Sequence, residues 1–393
     1  MESQKTIRKR RRQKHKQKRQ FRYKTGISGE EYNSSHDRVT KRYKWLFAIA
    51  SMTIVPLLLL AGMETGLRLA GFGYPTSYFI KMRDGNAYTS NQRFGWRFFS
   101  PHLARHPLLL SLPLDKPAGT YRIFVIGGSA AKGEPDYSFN FARILGKMLS
   151  HHNPNGKFEI INTAMVAINS HVVHQIAKEC TKLEPDLFIV YLGNNEVVGP
   201  FGPGTVFQSF SPSLTMIRAG MWVKSLRIGQ LLDSLIQDLF SKEQNIKVWR
   251  GMEMFLENRI PYDDPRLKKA YTHFERNLID IIDIARDSGA EVIVCTVATN
   301  LKDNAPFASM HRQGLGEAQK ADWEENYKAG IELEADGRYA EAVNRYLQAV
   351  QVDDNYADSH FRLARCYKQL NKCEEAREYY IKARDMDTLR FRG

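Results

Sequence analysis

Cysteine is scarce in this chain. Its 393 residues hold four, Cys180, Cys295, Cys366 and Cys373, with no C-x-x-C pair and no zinc-ligand spacing. A disulfide-framed scaffold is therefore excluded, and neither a metal cluster nor a phosphate-binding loop is legible, so no cofactor is expected. Cys295 lies in an apolar, strand-like run and reads as a core thiol. Cys366 and Cys373 sit close together in a helical segment and are the one pair an oxidising compartment could join. Acidic residues are missing where basic ones are dense. Residues 1–44 carry 16 Lys/Arg against 4 Asp/Glu, which is +12 of the chain's +14. The body is nearly neutral, so the basicity describes a disordered cytoplasmic tail and argues against a nucleic-acid-binding face.

Uncharged apolar runs long enough to cross a bilayer are also lacking, with one exception. Residues 45–63 (WLFAIASMTIVPLLLLAGM) contain no charge over 19 residues. As a helix they would span about 28 Å, close to a bilayer core. Pro56 is tolerated in such a helix, and Tyr43 and Trp45 fall at its amino-side interface. The positive flank should stay in the cytoplasm and send everything after residue 64 across the membrane. The expectation is a signal-anchor, single-pass protein with an extracytoplasmic body. A cleaved signal peptide and a buried core helix are the competing readings, and a 44-residue leader is long for the former. The run KTIRKRRRQKHKQKRQ then reads as a lipid-headgroup contact worth about 1 kcal/mol per basic residue.

Residues 64–120 form a connecting region rich in aromatics, Gly and Pro. Short apolar runs then alternate with helical periodicity: RIFVIG (122–127), a helix over 139–149, FEIINTA (158–164), a helix over 171–183, and DLFIVYLG (186–193). Residues 207–258 read as mostly helical, 266–289 as a long helix stopped by Gly289, and EVIVCTVATN (291–300) as a fourth strand. Buried strands alternating with helices predict an α/β domain over 121–310, a mostly parallel sheet with helices on both faces.

The last stretch repeats itself. Aligning 323–356 with 357–390 at a period of 34 matches Ala342 with Ala376, Tyr346 with Tyr380, Ala349 with Ala383 and Gly330 with Ala364. In the first repeat Gly337 and Tyr339 fall between the helices. This resembles a pair of tetratricopeptide repeats. Small residues let paired helices approach and the Tyr fills the gap. The resemblance implies a protein or peptide partner along 323–390. Two repeats are too few for a free-standing stack and should lean on the neighbouring domain.

Three short segments fall at the carboxyl ends of the first three strands, where open α/β sheets place ligands. They are Gly127-Gly128-Ser129-Ala130-Ala131-Lys132-Gly133, then Asn162 to Ala167 followed by Asn169-Ser170-His171, and Gly193-Asn194-Asn195-Glu196. In this order and spacing they resemble blocks of the SGNH (GDSL-type) hydrolase family, over roughly 121–300. The resemblance implies a flavodoxin-like α/β/α fold and an ester hydrolase or acyltransferase. On it, Ser129 matches the nucleophile and Asn195 the oxyanion-hole amide. Ala167 stands where the family has a Gly whose N–H faces the oxyanion, and Gly193 opens the third block. Pre-placed donors suit this chemistry, because ester attack puts negative charge on the carbonyl oxygen. Acyl esters, with O-acetyl groups of surface glycans among them, are the implied substrates.

The departures are informative. Gly128 replaces the family's Asp, and Ala167 requires a loop without positive φ. The family's basic His lies in a late D-x-x-H segment, and none of the eleven His residues has Asp three positions earlier. His311 and His360, the two after the fourth strand, read as surface residues. His171 and His174 belong to a helix leading away from the site. Two accounts remain: the repeats are inserted after the fourth strand and the base lies beyond Gly393, or the domain is inactive and presents its repeats as an interaction module.

Overall fold

The structure is a computed structural model that describes residues 9, 11–17, 20, 29–207, 213–240 and 249–391. Residues 1–8, 10, 18–19 and 21–28 of the basic tail lie outside the described part. The chain divides into two compact units, Met1–Phe72 and Gly73–Gly393.

In the first unit one helix, α1, runs from Gly29 to Leu69 with Pro56 inside it. Within it Phe47–Leu69 is long and apolar enough to cross a membrane. The expected span of 45–63 is thus part of a longer helix. The expectation of a disordered arm up to residue 44 is corrected at residues 11–17 and from Gly29 onward, where the backbone is helical. Residues such as Glu31, Arg38, Lys41 and Arg42 favour a helix once an adjoining segment nucleates it.

The second unit begins where no element was assigned. Three short strands, β1 (Phe79–Lys81), β2 (Ala87–Ser90) and β3 (Ser111–Pro113), form an antiparallel sheet in the order β1-β2-β3. Tyr78, Phe94 and Leu112 bury completely there. The principal sheet follows. β4 (Thr120–Gly127) leads to the one-turn helix α2 (Ser129–Lys132), then to α3 (Phe141–His152), β5 (Lys157–Asn162), α4 (Ser170–Cys180) and β6 (Leu187–Tyr191). After α5 (Leu214–Val223), α6 (Arg227–Phe240) and α7 (Pro265–Asp287) comes β7 (Glu291–Cys295). Asp264 caps α7 at its start, and Gly289, at φ +85°, lets the chain turn out of its end.

The four strands are parallel, in the order β5-β4-β6-β7. Alternation along β4 divides the core. Phe124 and Ile126 pack with Val172, Val173 and Ile176 of α4 and Ile281 and Ala285 of α7. Ile123 and Val125 face Ala142 and Leu145 of α3. Helices thus cover both faces, as strands apolar on both sides require. β7 is an edge strand among the described residues, and Ile293 and Val294 are about half exposed, at 51% and 47%. Cys295 is accordingly half-buried, which corrects its assignment as a core thiol. All four cysteines are free; Cys366 is buried and Cys373 exposed, so the pairing left open above is not formed.

Four helices close the unit: α8 (Glu317–Ala335), α9 (Tyr339–Val352), α10 (Ala357–Gln369) and α11 (Cys373–Asp385). A Cβ on Gly330 would lie 2.6 Å from the Tyr346 ring, so the small residue and the Tyr are complementary. Ala364 and Tyr380 share a cluster in the second pair. The repeats lean on the preceding loop. The buried Asp387 carboxylate accepts from the N–H groups of Phe307, Ala308 and Leu389. Thr388 donates its N–H and its hydroxyl to Ala308 O, both at 3.1 Å. The start and finish of the repeat segment therefore meet. His311 and His360, expected at the surface, take part in this packing. His311 lies 2.7 Å from the Asp353 carboxylate against Trp323, and His360 is buried beside Tyr379.

Candidate active site

β4 and β6 are neighbours in the sheet but not in sequence, so the strand order reverses between them, and open α/β sheets place ligands at the carboxyl ends of strands at such a point. Gly127 closes β4. A Cβ there would lie 2.1 Å from Tyr191 O and 2.7 Å from the Ala131 Cβ, so only glycine allows the turn into α2. Gly128 is the residue before that helix and Ser129 its first residue, partly exposed. The position of Gly128 locates the other two segments. A Cβ on it would be 3.1 Å from Asn195 Nδ2 and 3.6 Å from Ile168 O. Asn195 Nδ2 itself donates to Ile168 O at 2.9 Å. The Ser129 turn, the 163–169 loop and the 193–196 loop thus converge within van der Waals contact.

Ala167, just before Ile168, has φ +61°. The loop does require a left-handed backbone, and Ala adopts it at a cost of about 1–2 kcal/mol. Gly193 has φ +139°, which a side chain rarely adopts. Asn195 is 5% exposed and spends one of its two amide hydrogens on Ile168 O, so the second remains a donor. Among the described residues no His ring is hydrogen-bonded to the Ser129 hydroxyl. His171 and His174 lie on α4, where burial holds their imidazoles down to about 3 and about 4, so both are neutral at pH 7.

Glu196 ends the third segment, and its role was not foreseen. It is buried and accepts from Ser170 N at 3.0 Å and Ser170 Oγ at 2.6 Å. Asn277 of α7 donates to Ser170 Oγ at 3.0 Å and lies 3.0 Å from His171 Nδ1. Arg218 of α5 donates to Asn277 Oδ1 and pairs with Asp280. Burial raises the Glu196 carboxyl to about 7, and the Ser170 hydrogen bonds oppose the rise. The network ties the Asn195 loop to the start of α4. A Glu directly after the paired Asn residues, with a Ser at a helix start, was the available signal; Asn277 and Arg218 gave none. Asn194 reaches in another direction, donating to Phe391 O at 3.2 Å, so the chain after the repeats returns to this end of the sheet. No group of His, Cys, Asp and Glu among the described residues could hold a metal ion.

Comparison with known proteins identifies one part of the chain. Residues 333–388 match the family model described as tetratricopeptide repeat, within the segment whose 34-residue period was read above. No curated protein matches the sequence. Two solved structures are similar to it: "Crystal Structure of TesA", at 12% identity and TM-score 0.23 over 50% of this chain and 86% of that one, and "Crystal structure of an acetyl xylan esterase AlAXEase", at 13% identity and TM-score 0.22 over 44% and 76%. Likeness at that level carries no argument about this chain's chemistry.

Proposed function

We propose that the 121–310 domain is a flavodoxin-like, SGNH-type serine ester hydrolase acting on acyl esters, O-acetyl groups of surface glycans among them. On this reading α1 anchors it and its body faces away from the cytoplasm. The observation that supports the reading is the convergence of Ile168 O and the Asn195 amide on Gly128, the residue before Ser129. A substrate carbonyl beside Ser129 would receive Oγ on its carbon. Its oxygen, negative after attack, would be met by the second Asn195 hydrogen and by the backbone N–H groups of Ser129 and Ala167. One such donor typically contributes about 3 kcal/mol to the barrier.

Hydrolysis of a small chromogenic acetate ester by the detergent-solubilised chain tests this. The expected outcome is measurable turnover that Ser129→Ala reduces to the uncatalysed rate. Equal rates for the two proteins would remove Ser129 as nucleophile.

A second reading draws on the tetratricopeptide match and on the absence of a His partner for Ser129 among the described residues. It makes the body an inactive scaffold that offers the repeats to a protein partner. Partner capture that depends on 323–390, with no Ser129-dependent turnover, would favour it.

A further inference from the structure

Ser129 and Lys132 are three residues apart on the single turn of α2, so their side chains leave the same face. Helical i,i+3 spacing is within reach of a serine hydroxyl for a lysine amine. Lys132 is 5% exposed. Its ammonium donates to His106 O at 3.2 Å, and its nearest carboxylate oxygen, on Glu134, is 3.9 Å away. That Glu134 oxygen already accepts from the Tyr137 hydroxyl at 2.8 Å. The Tyr137 ring lies 4.6 Å from Nζ. Burial of the ammonium disfavours its charged form, which the Glu134 carboxylate and the Tyr137 ring favour. The charged groups facing it oppose one another: burial lowers the Lys132 pKa, Glu134 raises it and Arg105 lowers it, for a net fall. Arg105 is itself held over the Trp249 ring at 5.1 Å.

We infer that Lys132 is the general base for Ser129, a serine–lysine pair in place of serine–histidine; the inference rests on the hydrolase reading above. Neutral Nζ takes the Oγ proton as the Oγ lone pair bonds to the ester carbonyl carbon and the π pair moves to the carbonyl oxygen. That pair then returns, the bond to the alcohol oxygen breaks, and the Lys132 ammonium gives its proton to the leaving oxygen. Water gives a proton to the same amine as its oxygen bonds to the acyl carbon; the bond from that carbon to Oγ then breaks, the Lys132 ammonium returns the proton to Oγ, and the acid and free Ser129 are released. Ester and water become acid and alcohol, with no other reactant. A serine–lysine pair is an established alternative to serine–histidine on unrelated folds.

The test uses the full chain in detergent and an alkyl fluorophosphonate, with labelling of Ser129 followed by intact mass. Labelling should rise with pH through a midpoint below that of a free lysine, about 10.4. Lys132→Arg keeps the charge and a donor to His106 O but cannot give up its proton, and labelling should fall about 100-fold or more. Lys132→Ala should be equally slow and regain at least tenfold with added ethylamine, which a merely structural role would not allow. His106→Gln should label as the parent does. Labelling by Lys132→Arg at the parental rate and pH dependence overturns the pair while leaving Ser129 as nucleophile. So does loss of labelling in His106→Gln with Lys132→Arg unaffected. A parent chain that labels no more than Ser129→Ala overturns the hydrolase reading and the pair together.

Discussion

Glu196 shows how a single buried group sets terms for its surroundings. An acid whose pKa rises on folding stabilises the fold most below its unfolded value, and that stability is lost as pH rises through the folded value. For Glu196 the window runs from about 4.5 to about 7. Glu196→Gln retains partners for Ser170 without ionising. It should therefore remove a pH-dependent loss of about 3 kcal/mol, read as the difference between parent and variant denaturation midpoints at pH 5 and pH 8. His171 and His174 act oppositely, weakening the fold as pH falls below about 6.5; they are common to both proteins and cancel in that difference. Asn195→Ala should lower turnover by about 10²- to 10³-fold with little change in KM, if its free amide hydrogen meets charge that exists only in the transition state. The loops that carry Ser129 and Asn195 could be placed because each comes shortly after an apolar strand, β4 or β6; the roles of the two residues belong to the proposal above. The partners of Glu196 could not be placed, because Ser170 and Asn277 reach it only once α4 and α7 have packed.

The order in which elements could be read follows from how much each depends on distant contacts. β4, β6 and α7 have uniform apolar runs or strong helical periodicity with capping residues, and their positions came from the sequence within a few residues. β1 to β3 did not, since strands of three or four residues carry too little pattern and are defined by pairing and by Tyr78, Phe94 and Leu112. The repeats were legible through identity of spacing, and the Gly330–Tyr346 contact gives that spacing its physical reason. Gly330→Val should cost about 2 kcal/mol or more, because it drives a branched side chain into the Tyr346 ring. Urea denaturation of the full chain should show the loss.

For the whole molecule, the 23 residues of Phe47–Leu69 are long and apolar enough to cross a membrane, and the proposed anchor makes a direct prediction. The chain should sediment with membranes, resist extraction by high salt and alkaline carbonate, and be released by detergent. If the basic flank fixes orientation, a reporter fused after residue 300 should be active only outside the cytoplasm. The clasp between Ala308 and Thr388 bears on how the second unit is assembled. Joining two points some eighty residues apart normally costs loop-closure entropy, and non-local pairing of this kind slows folding. Four helices built from local contacts occupy most of that stretch and shorten the distance that the clasp closes. Because Thr388 meets Ala308 and Phe391 meets Asn194 a few residues apart, the folded repeats act as a short bridge between two nearby points of the domain.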